Sequence, residues 1–171
     1  MKPNEFRFGW QLPGIGCAVC TIGDGRRKMV RLVASYLTDA LADVLHGLQA
    51  LYRDNGVDRF FFDQEPTEIR WVVRRASTDA ILSIYQFNDV AVSLDLPDSA
   101  GQVLWRSTQP RSAVVHAVTR EARRVLNEYG EQGYRAKWVR HPFPVNALLD
   151  LERRHRETDR CADAAHPALS D

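Results

Sequence analysis

The sequence predicts an α+β fold, a two-layer sandwich in which one antiparallel β-sheet of about five to seven strands carries two main helices on one face and a short C-terminal helix. Stretches with an apolar residue at every second position, the period of a half-buried strand, recur between residues 17 and 96. Residues 39 to 53 and 112 to 129 instead repeat apolar residues every three or four positions, as amphipathic helices do. Because tight turns separate most of the strands, neighbouring strands should pair antiparallel.

The first part of the chain predicts a hairpin followed by a helix. An Asp-Gly pair lies between two apolar stretches, residues 17 to 22 and 28 to 36, and this placement is a strong signal for a hairpin turn. At Thr38 the apolar period changes to that of a helix, and the Thr38 hydroxyl suits an N-cap. A short strand around residues 6 to 11 precedes the hairpin.

The middle of the chain predicts an antiparallel meander. Short apolar or alternating stretches follow one another there, and clusters of turn-forming residues separate them. The predicted strands are residues 59 to 63, 67 to 75, 80 to 87 and 90 to 96, with one more short strand at residues 103 to 106.

The C-terminal third predicts one long and one short helix. The helical stripe of residues 112 to 129 ends at Gly130, which is placed as the first residue beyond the helix. A loop rich in aromatic and proline residues then leads to a short helix at residues 145 to 154. Residues 156 to 171 are polar and lack periodicity, which is typical of a flexible tail. The sequence therefore predicts a single domain over residues 1 to 155.

The composition is that of a globular protein without a charge bias. The chain has 171 residues, of which 44% are hydrophobic and 26% charged, and this suits one domain with its own core. Its 23 basic residues nearly balance its 22 acidic residues, so it lacks the basic excess of a dedicated nucleic-acid-binding protein. No apolar run reaches the length of a signal peptide or a membrane span. We therefore expect a cytoplasmic protein that acts on neither nucleic acids nor membranes.

The cysteines and histidines predict neither a disulfide framework nor a metal site. Three cysteines are a small and odd number for disulfides. Cys17 and Cys20 have the spacing of a redox pair or half a zinc site, but a strand would send their thiols to opposite faces. Cys161 follows in the polar tail near His155 and His166. Since no histidine pair shows the i, i+4 spacing of ligands on one helix face, we expect no metal and no other cofactor.

The leading functional hypothesis is a sheet face that binds another protein. The strand alternation places Glu68, Arg70 and Arg74 on one face, where alternating charges usually form cross-strand pairs in contact with water. Trp71 lies on the same strand, and the turn at Glu65 precedes it. Because Arg and Trp are the side chains most often found as interface hot spots, we expect a partner to contact this sheet face or its edge.

A loop before the C-terminal helix provides a second candidate region. Trp138 and His141 lie there among proline and charged residues, and such loops often carry function. They complete the set of candidate binding residues. These residues are Glu65, Glu68, Arg70, Trp71, Arg74, Trp138 and His141.

Two alternatives to a partner-binding surface remain open. Asp63, Glu65 and Glu68 form the densest acidic group near a turn. Together with His141 they could act as acid and base in a small hydrolase or transferase, provided that all four meet in one pocket. The chain could also form a homodimer through an exposed strand edge or its last helix. The absence of a Gly-x-Ser-x-Gly elbow and of a dinucleotide fingerprint favours a non-enzymatic protein.

The predicted architecture is a small α+β domain with a meander and without an active-site motif. It resembles the architecture of several bacterial immunity and accessory proteins, which is a likeness at the level of the fold.

Overall fold

The chain folds into two antiparallel β-sheets and four α-helices over residues 6–25 and 29–161, the part that the computed structural model describes. The first sheet contains, in this order, β1 (Arg7–Gln11), β2 (Cys17–Gly23) and β3 (Val30–Ser35). The second contains, in this order, β4 (Val57–Gln64), β5 (Thr67–Ala76), β6 (Asp79–Phe87) and β7 (Gln102–Pro110). The helices are α1 (Ala40–Leu48), α2 (Val90–Ser93), α3 (Arg111–Trp138) and α4 (Val145–Asp159). The predicted α+β class is confirmed, with the strands divided between two sheets.

The predicted hairpin joins β2 to β3. The two strands pair antiparallel, with Cys17 opposite Ser35 and Ile22 opposite Val30. Gly25 has a φ of 73°, a left-handed conformation that glycine adopts at little cost. Residues 26–28, at the start of the predicted second strand, lie outside the described residues.

The meander is present, but its fourth strand differs from the prediction. Residues 90–96, predicted as a strand, begin instead with the short helix α2. The side chain of Asp89 accepts a hydrogen bond from the Ala91 N–H at 2.9 Å, which is a helix N-cap. The place beside β6 is taken by β7, in which Ser107 lies opposite Leu82. Residues 88–101, which connect β6 to β7, are called the 88–101 segment below.

A cluster of aromatic side chains joins both sheets and α3 in one core. Trp10 of β1, Phe62 of β4 and Trp138 of α3 are fully buried. The ring centroid of Trp10 lies 5.9 Å from that of Phe62 and 6.3 Å from that of Trp138. The two sheets therefore share a single hydrophobic core, which also takes in residues of α1 and α4.

Side chains of α3 bind the backbone of β1, an outer strand of the first sheet. The Trp10 N–H donates to the Glu121 carboxylate at 2.8 Å, and the Arg124 guanidinium donates to the Trp10 carbonyl at 2.7 Å. Unpaired backbone groups at a sheet edge favour aggregation. The contacts with α3 satisfy the backbone N–H and carbonyl of Trp10 and fix the helix against the first sheet.

The helix α3 is broken at Gly130 and continues beyond it. Gly130 has φ 63° and ψ 173°, so the predicted end of the helix coincides with a real break. The chain then resumes a helix as far as Trp138, where the sequence predicted a loop, because Tyr134 and Trp138 are both buried in the core. The next helix, α4, extends to Asp159, so the first residues of the predicted tail are helical. Residues 162–171 lie outside the described residues. Within the described part of the chain, no helix has the length and apolarity needed to span a membrane.

The strand β5 is buried on both of its faces. Ile69, Trp71 and Val73 point into the main core. On the opposite face, Val72 joins a second small apolar cluster with Tyr85 and Phe87 of β6. The 88–101 segment covers part of this second face, which also carries the charged residues of β5.

Candidate functional site

The charged residues that were predicted on a solvated strand face are buried beneath the 88–101 segment. Glu68 is 0% exposed and Arg70 is 7% exposed. The Arg70 Nε donates to a Glu68 carboxylate oxygen at 2.7 Å, and its other nitrogens donate to the carbonyls of Ser93 at 2.7 Å and Leu96 at 2.8 Å. The prediction of a solvated face is therefore wrong for Glu68 and Arg70. The strand period shows which side chains share a face, but not which face another segment covers.

Of the other predicted binding residues, two are exposed and two belong to the core. Glu65 and Arg74 lie on the surface. Trp71 and Trp138 are buried, and the ring of Trp71 stacks on that of Phe60 with centroids 5.6 Å apart. A buried ring is not available to a partner, so we assign Trp71 and Trp138 to packing.

His141 lies beside α1 rather than beside the acidic group of the enzymatic hypothesis. Its Nδ1 is 3.8 Å from a carboxylate oxygen of Asp39. Among the described residues, no hydrogen bond or ion pair joins His141 to Asp63, Glu65 or Glu68. The carboxylate of Glu68 is instead occupied by the buried contacts described above. The four side chains of that hypothesis are thus not joined in one group.

Two carboxyl groups at the start of α1 have raised pKa values. Burial raises the pKa of Asp39. Burial, together with the neighbouring Asp39 charge, raises the pKa of Asp43 to about 6. Opposing contributions from His46 and His141 are smaller. The protonation of Asp43 therefore changes between mildly acidic and neutral pH.

Replacing Asp43 with asparagine is expected to stabilise the protein at a pH of about 7.5, by up to about 1 kcal/mol after screening by solvent. The folded-state pKa of about 6 lies above the ordinary value of 3.8. The folded protein thus binds a proton more tightly, and this contribution to stability is lost as pH rises from about 4 to about 6. Asparagine removes the cost of the buried charge. Urea denaturation of D43N and the original chain at a pH of about 7.5 and at a pH of about 4 measures the difference.

Most of the gain in D43N should be lost at a pH of about 4, where the aspartate is protonated in the folded state and about half protonated in the unfolded state. Asp95→Asn, which removes an exposed carboxylate from the 88–101 segment, is the matched control and should leave the stability nearly unchanged. A gain in D43N of the same size at both pH values would contradict the assignment.

A cleft of about 400 Å³ lies between β4 and the 88–101 segment. Arg59 and Asp98 form an ion pair within its lining, with a nitrogen and an oxygen 3.0 Å apart. Asp98 also accepts a hydrogen bond from Arg70 at 3.2 Å, so the buried cluster and the cleft are connected. The lining side chains are those of Arg59, Phe60, Phe61, Glu68, Arg70, Leu94, Leu96, Pro97 and Asp98.

Three exposed aliphatic side chains lie on the 88–101 segment, and two of them, Leu94 and Leu96, line this cleft. Val92 is 65% exposed, Leu94 is 56% exposed and Leu96 is 44% exposed. The 88–101 segment also carries three aspartates and no basic residue. Apolar groups crowded on one exposed segment mark interaction sites more often than isolated ones do. The sequence pattern had placed these aliphatic residues in a strand, so their exposure was not predicted.

A second constellation lies between α3 and the end of α4. The Sγ of Cys161 is 3.5 Å from the Nδ1 of His116, and the rings of His116 and His155 have centroids 5.8 Å apart. One ligand atom from each of these three residues lies within 4.8 Å of the other two. The sequence placed Cys161 near His155 but missed His116, because only the packing of α3 on α4 brings it close. These three residues could hold a metal ion.

The Cys17 and Cys20 thiols are not part of this constellation. Both lie on β2 as free thiols, Cys20 in the core and Cys17 half-buried. Burial raises the pKa of the Cys20 thiol, which keeps it protonated and unreactive. The pair therefore has the environment of packing residues.

Comparisons with known proteins give no match for this chain among family models, curated proteins or solved structures.

Proposed function

We propose that this protein is a non-enzymatic binding module, whose cleft and 88–101 segment hold an apolar and basic segment of another protein. The observation that carries the proposal is the group of exposed aliphatic side chains, Val92, Leu94 and Leu96, beside a cleft of about 400 Å³. The sequence predicted a partner-binding face on β5. The proposed surface lies instead on the 88–101 segment, which covers part of that face.

The apolar part of the surface would supply most of the binding energy. Leu94 and Leu96 belong to the lining of the cleft while remaining 56% and 44% exposed. Burying an exposed leucine side chain stabilises a complex by about 1 to 2 kcal/mol. A partner side chain that enters the cleft would cover both leucines and contact the aromatic rings of Phe60 and Phe61.

The surface is held in place before a partner arrives. Arg70 donates to two carbonyls of the 88–101 segment, and the Val90 N–H donates to the Pro66 carbonyl at 2.7 Å. A segment that is already ordered loses less conformational entropy on binding. These anchors therefore favour a preformed docking surface.

The charge of the segment indicates the chemistry of the partner. Asp89 and Asp95 lie exposed among the aliphatic residues, whereas Asp98 is paired with Arg59 and Arg70, and no lysine or arginine occurs in the segment. A partner segment with lysine or arginine beside its apolar residues is complementary to this pattern. A symmetric homodimer through the same surface would bring these carboxylates towards their own copies, which disfavours self-association there.

The enzymatic alternative has less support in this arrangement. Glu68 is occupied by Arg70 and Ser93, and His141 contacts Asp39. A cytoplasmic location is part of the proposal, and the three free cysteines suit a reducing compartment.

Selection from a library of random displayed peptides against the full chain tests this surface directly. We expect the selected peptides to combine leucine, phenylalanine or similar residues with lysine or arginine. Their affinity should fall as salt is raised from about 0.05 M to about 0.5 M, because exposed charges are then screened. Isothermal titration with a synthetic copy of the best peptide measures its affinity and the dependence of that affinity on salt.

The double variant Leu94→Ser/Leu96→Ser should weaken binding of that peptide by at least about tenfold, which corresponds to about 1.4 kcal/mol. Both side chains are exposed, so circular dichroism should show an unchanged fold. Ile15→Ser changes an exposed aliphatic residue in the turn between β1 and β2, and it is the matched control that should bind normally. Equal affinity of the double variant and the original chain, or selected peptides without basic residues, would overturn the proposal.

A further inference from the structure

We propose that His116, His155 and Cys161 form a binding site for one zinc-class divalent transition-metal ion. His116 lies in the N-terminal part of α3, His155 near the end of α4, and Cys161 just beyond that helix. Two imidazoles and one thiolate are the donors that zinc and its neighbours in the first transition row prefer. The site shares no residue with the docking cleft and does not depend on the proposed function.

The separation of the ligand atoms agrees with this chemistry. A tetrahedral ion with bonds of about 2.0 Å to nitrogen and about 2.3 Å to sulfur holds these two ligands about 3.5 Å apart. The Sγ of Cys161 and the Nδ1 of His116 are 3.5 Å apart. Since all three ligand atoms lie within 4.8 Å of one another, small side-chain rotations suffice to bring the His155 ring into the same coordination sphere.

The partners of His155 orient its ring in the way that metal sites require. Its Nδ1 lies 3.0 Å from a carboxylate oxygen of Asp159, an arrangement in which Nδ1–H donates and Nε2 carries the lone pair that an ion would bind. Carboxylate–histidine pairs of this kind fix the tautomer of zinc-binding histidines and increase their basicity. His155 is buried, so the ring is also held by packing.

Asp159 is in turn held by two further side chains. The Arg111 guanidinium donates to it at 2.6 Å and 3.0 Å, and the Tyr52 hydroxyl donates at 2.7 Å. Asp159 is thus held in place by Arg111 and Tyr52, which fixes the orientation that its carboxylate imposes on the His155 ring.

Three protein ligands leave one coordination position of a tetrahedral ion for water or a small ligand. Structural zinc sites usually have four protein ligands, whereas three ligands and an open position are typical of sites that exchange ligands. His116 and Cys161 are only partly buried, so solvent reaches this side of the site. The proposed site thus belongs to the open class.

Titration of zinc and cobalt salts into the chelator-treated full chain tests the proposal. We expect one zinc ion per chain, with a dissociation constant below about 1 μM. Cobalt should produce the visible bands of a tetrahedral ion and a near-ultraviolet thiolate charge-transfer band. The charge-transfer band should be absent in Cys161→Ser, because only a sulfur ligand gives rise to it.

The variants H116A and C161S should each lose zinc affinity by at least about tenfold. Neither residue is fully buried, so both variants should keep their far-ultraviolet circular dichroism. C17S is the matched control, because Cys17 is also a half-buried free thiol but lies on β2. The proposal is wrong if the original chain takes up no zinc, if H116A and C161S bind it as the original does, or if C17S loses it equally.

Discussion

Replacing Arg70 with alanine is expected to lower the free energy of unfolding by about 3 to 5 kcal/mol, because the change leaves a buried carboxylate without its charged partner. That carboxylate belongs to Glu68, which is completely buried. The same change removes the donors to the carbonyls of Ser93 and Leu96. We therefore expect the 88–101 segment to detach from β5 more readily than in the original chain.

Urea denaturation measures the loss of stability, and limited proteolysis measures detachment of the segment. R70A should be cleaved within residues 88–101 under conditions that leave the original chain intact. Arg74→Ala is the matched control, because Arg74 lies on the same face of β5 but is exposed, and its effect should stay within about 0.5 kcal/mol. A loss below about 1 kcal/mol for R70A would show that Glu68 finds compensation elsewhere.

Replacing Trp10 with alanine should cost about 3 to 5 kcal/mol, the usual range when a fully buried tryptophan is truncated in a core. Its ring contacts Phe8, Phe62 and Trp138, with centroid separations of 5.9 to 6.3 Å. These neighbours belong to both sheets and to α3. Because one side chain links all three, its loss should weaken the whole core rather than one sheet.

Thermal unfolding of W10A, followed by circular dichroism and by fluorescence, tests this linkage. We expect a single transition for both probes, shifted to lower temperature, as in a cooperative domain. Ile15→Ala is the control, since Ile15 is 78% exposed and its truncation should have little effect. Two separate transitions in the original chain would mean that the sheets are independently stable.

The elements that the sequence predicted best are those with a strong local signal. The β2–β3 hairpin follows from a turn-forming pair between two alternating stretches, and α1 follows from its apolar stripe. The meander from β4 to β6 was predicted for the same reason. In each case the signal comes from residues that are close together in the sequence, so it does not depend on what the element packs against.

Elements whose structure depends on distant contacts were predicted less well. Residues 90–96 alternate like a strand, but the cap at Asp89 starts a helix and β7 occupies the neighbouring position in the sheet. Residues after Gly130 resume a helix because Tyr134 and Trp138 reach the core from that conformation. Tertiary packing outweighs a weak local preference in both places.

The candidate sites depended even more on tertiary structure. The burial of Arg70 comes from acceptors more than twenty positions later in the chain. The ligands His116 and His155 belong to different helices, so no spacing rule for a single helix could find the pair. The sequence did predict Glu68 and Arg70 as binding residues, although on a solvated face. It predicted no metal site at His155 and Cys161.

The double-sided burial of β5 also restricts how this chain can diverge. Every side chain from Glu68 to Val73 is buried, so few substitutions should be tolerated at these six positions. A substitution of Glu68 requires compensating substitutions at Arg70 and Ser93, because hydrogen bonds join the three residues in one network. Descendants of a common ancestor should therefore alter this trio together or keep it, while Arg74, a few residues further along the strand, varies freely.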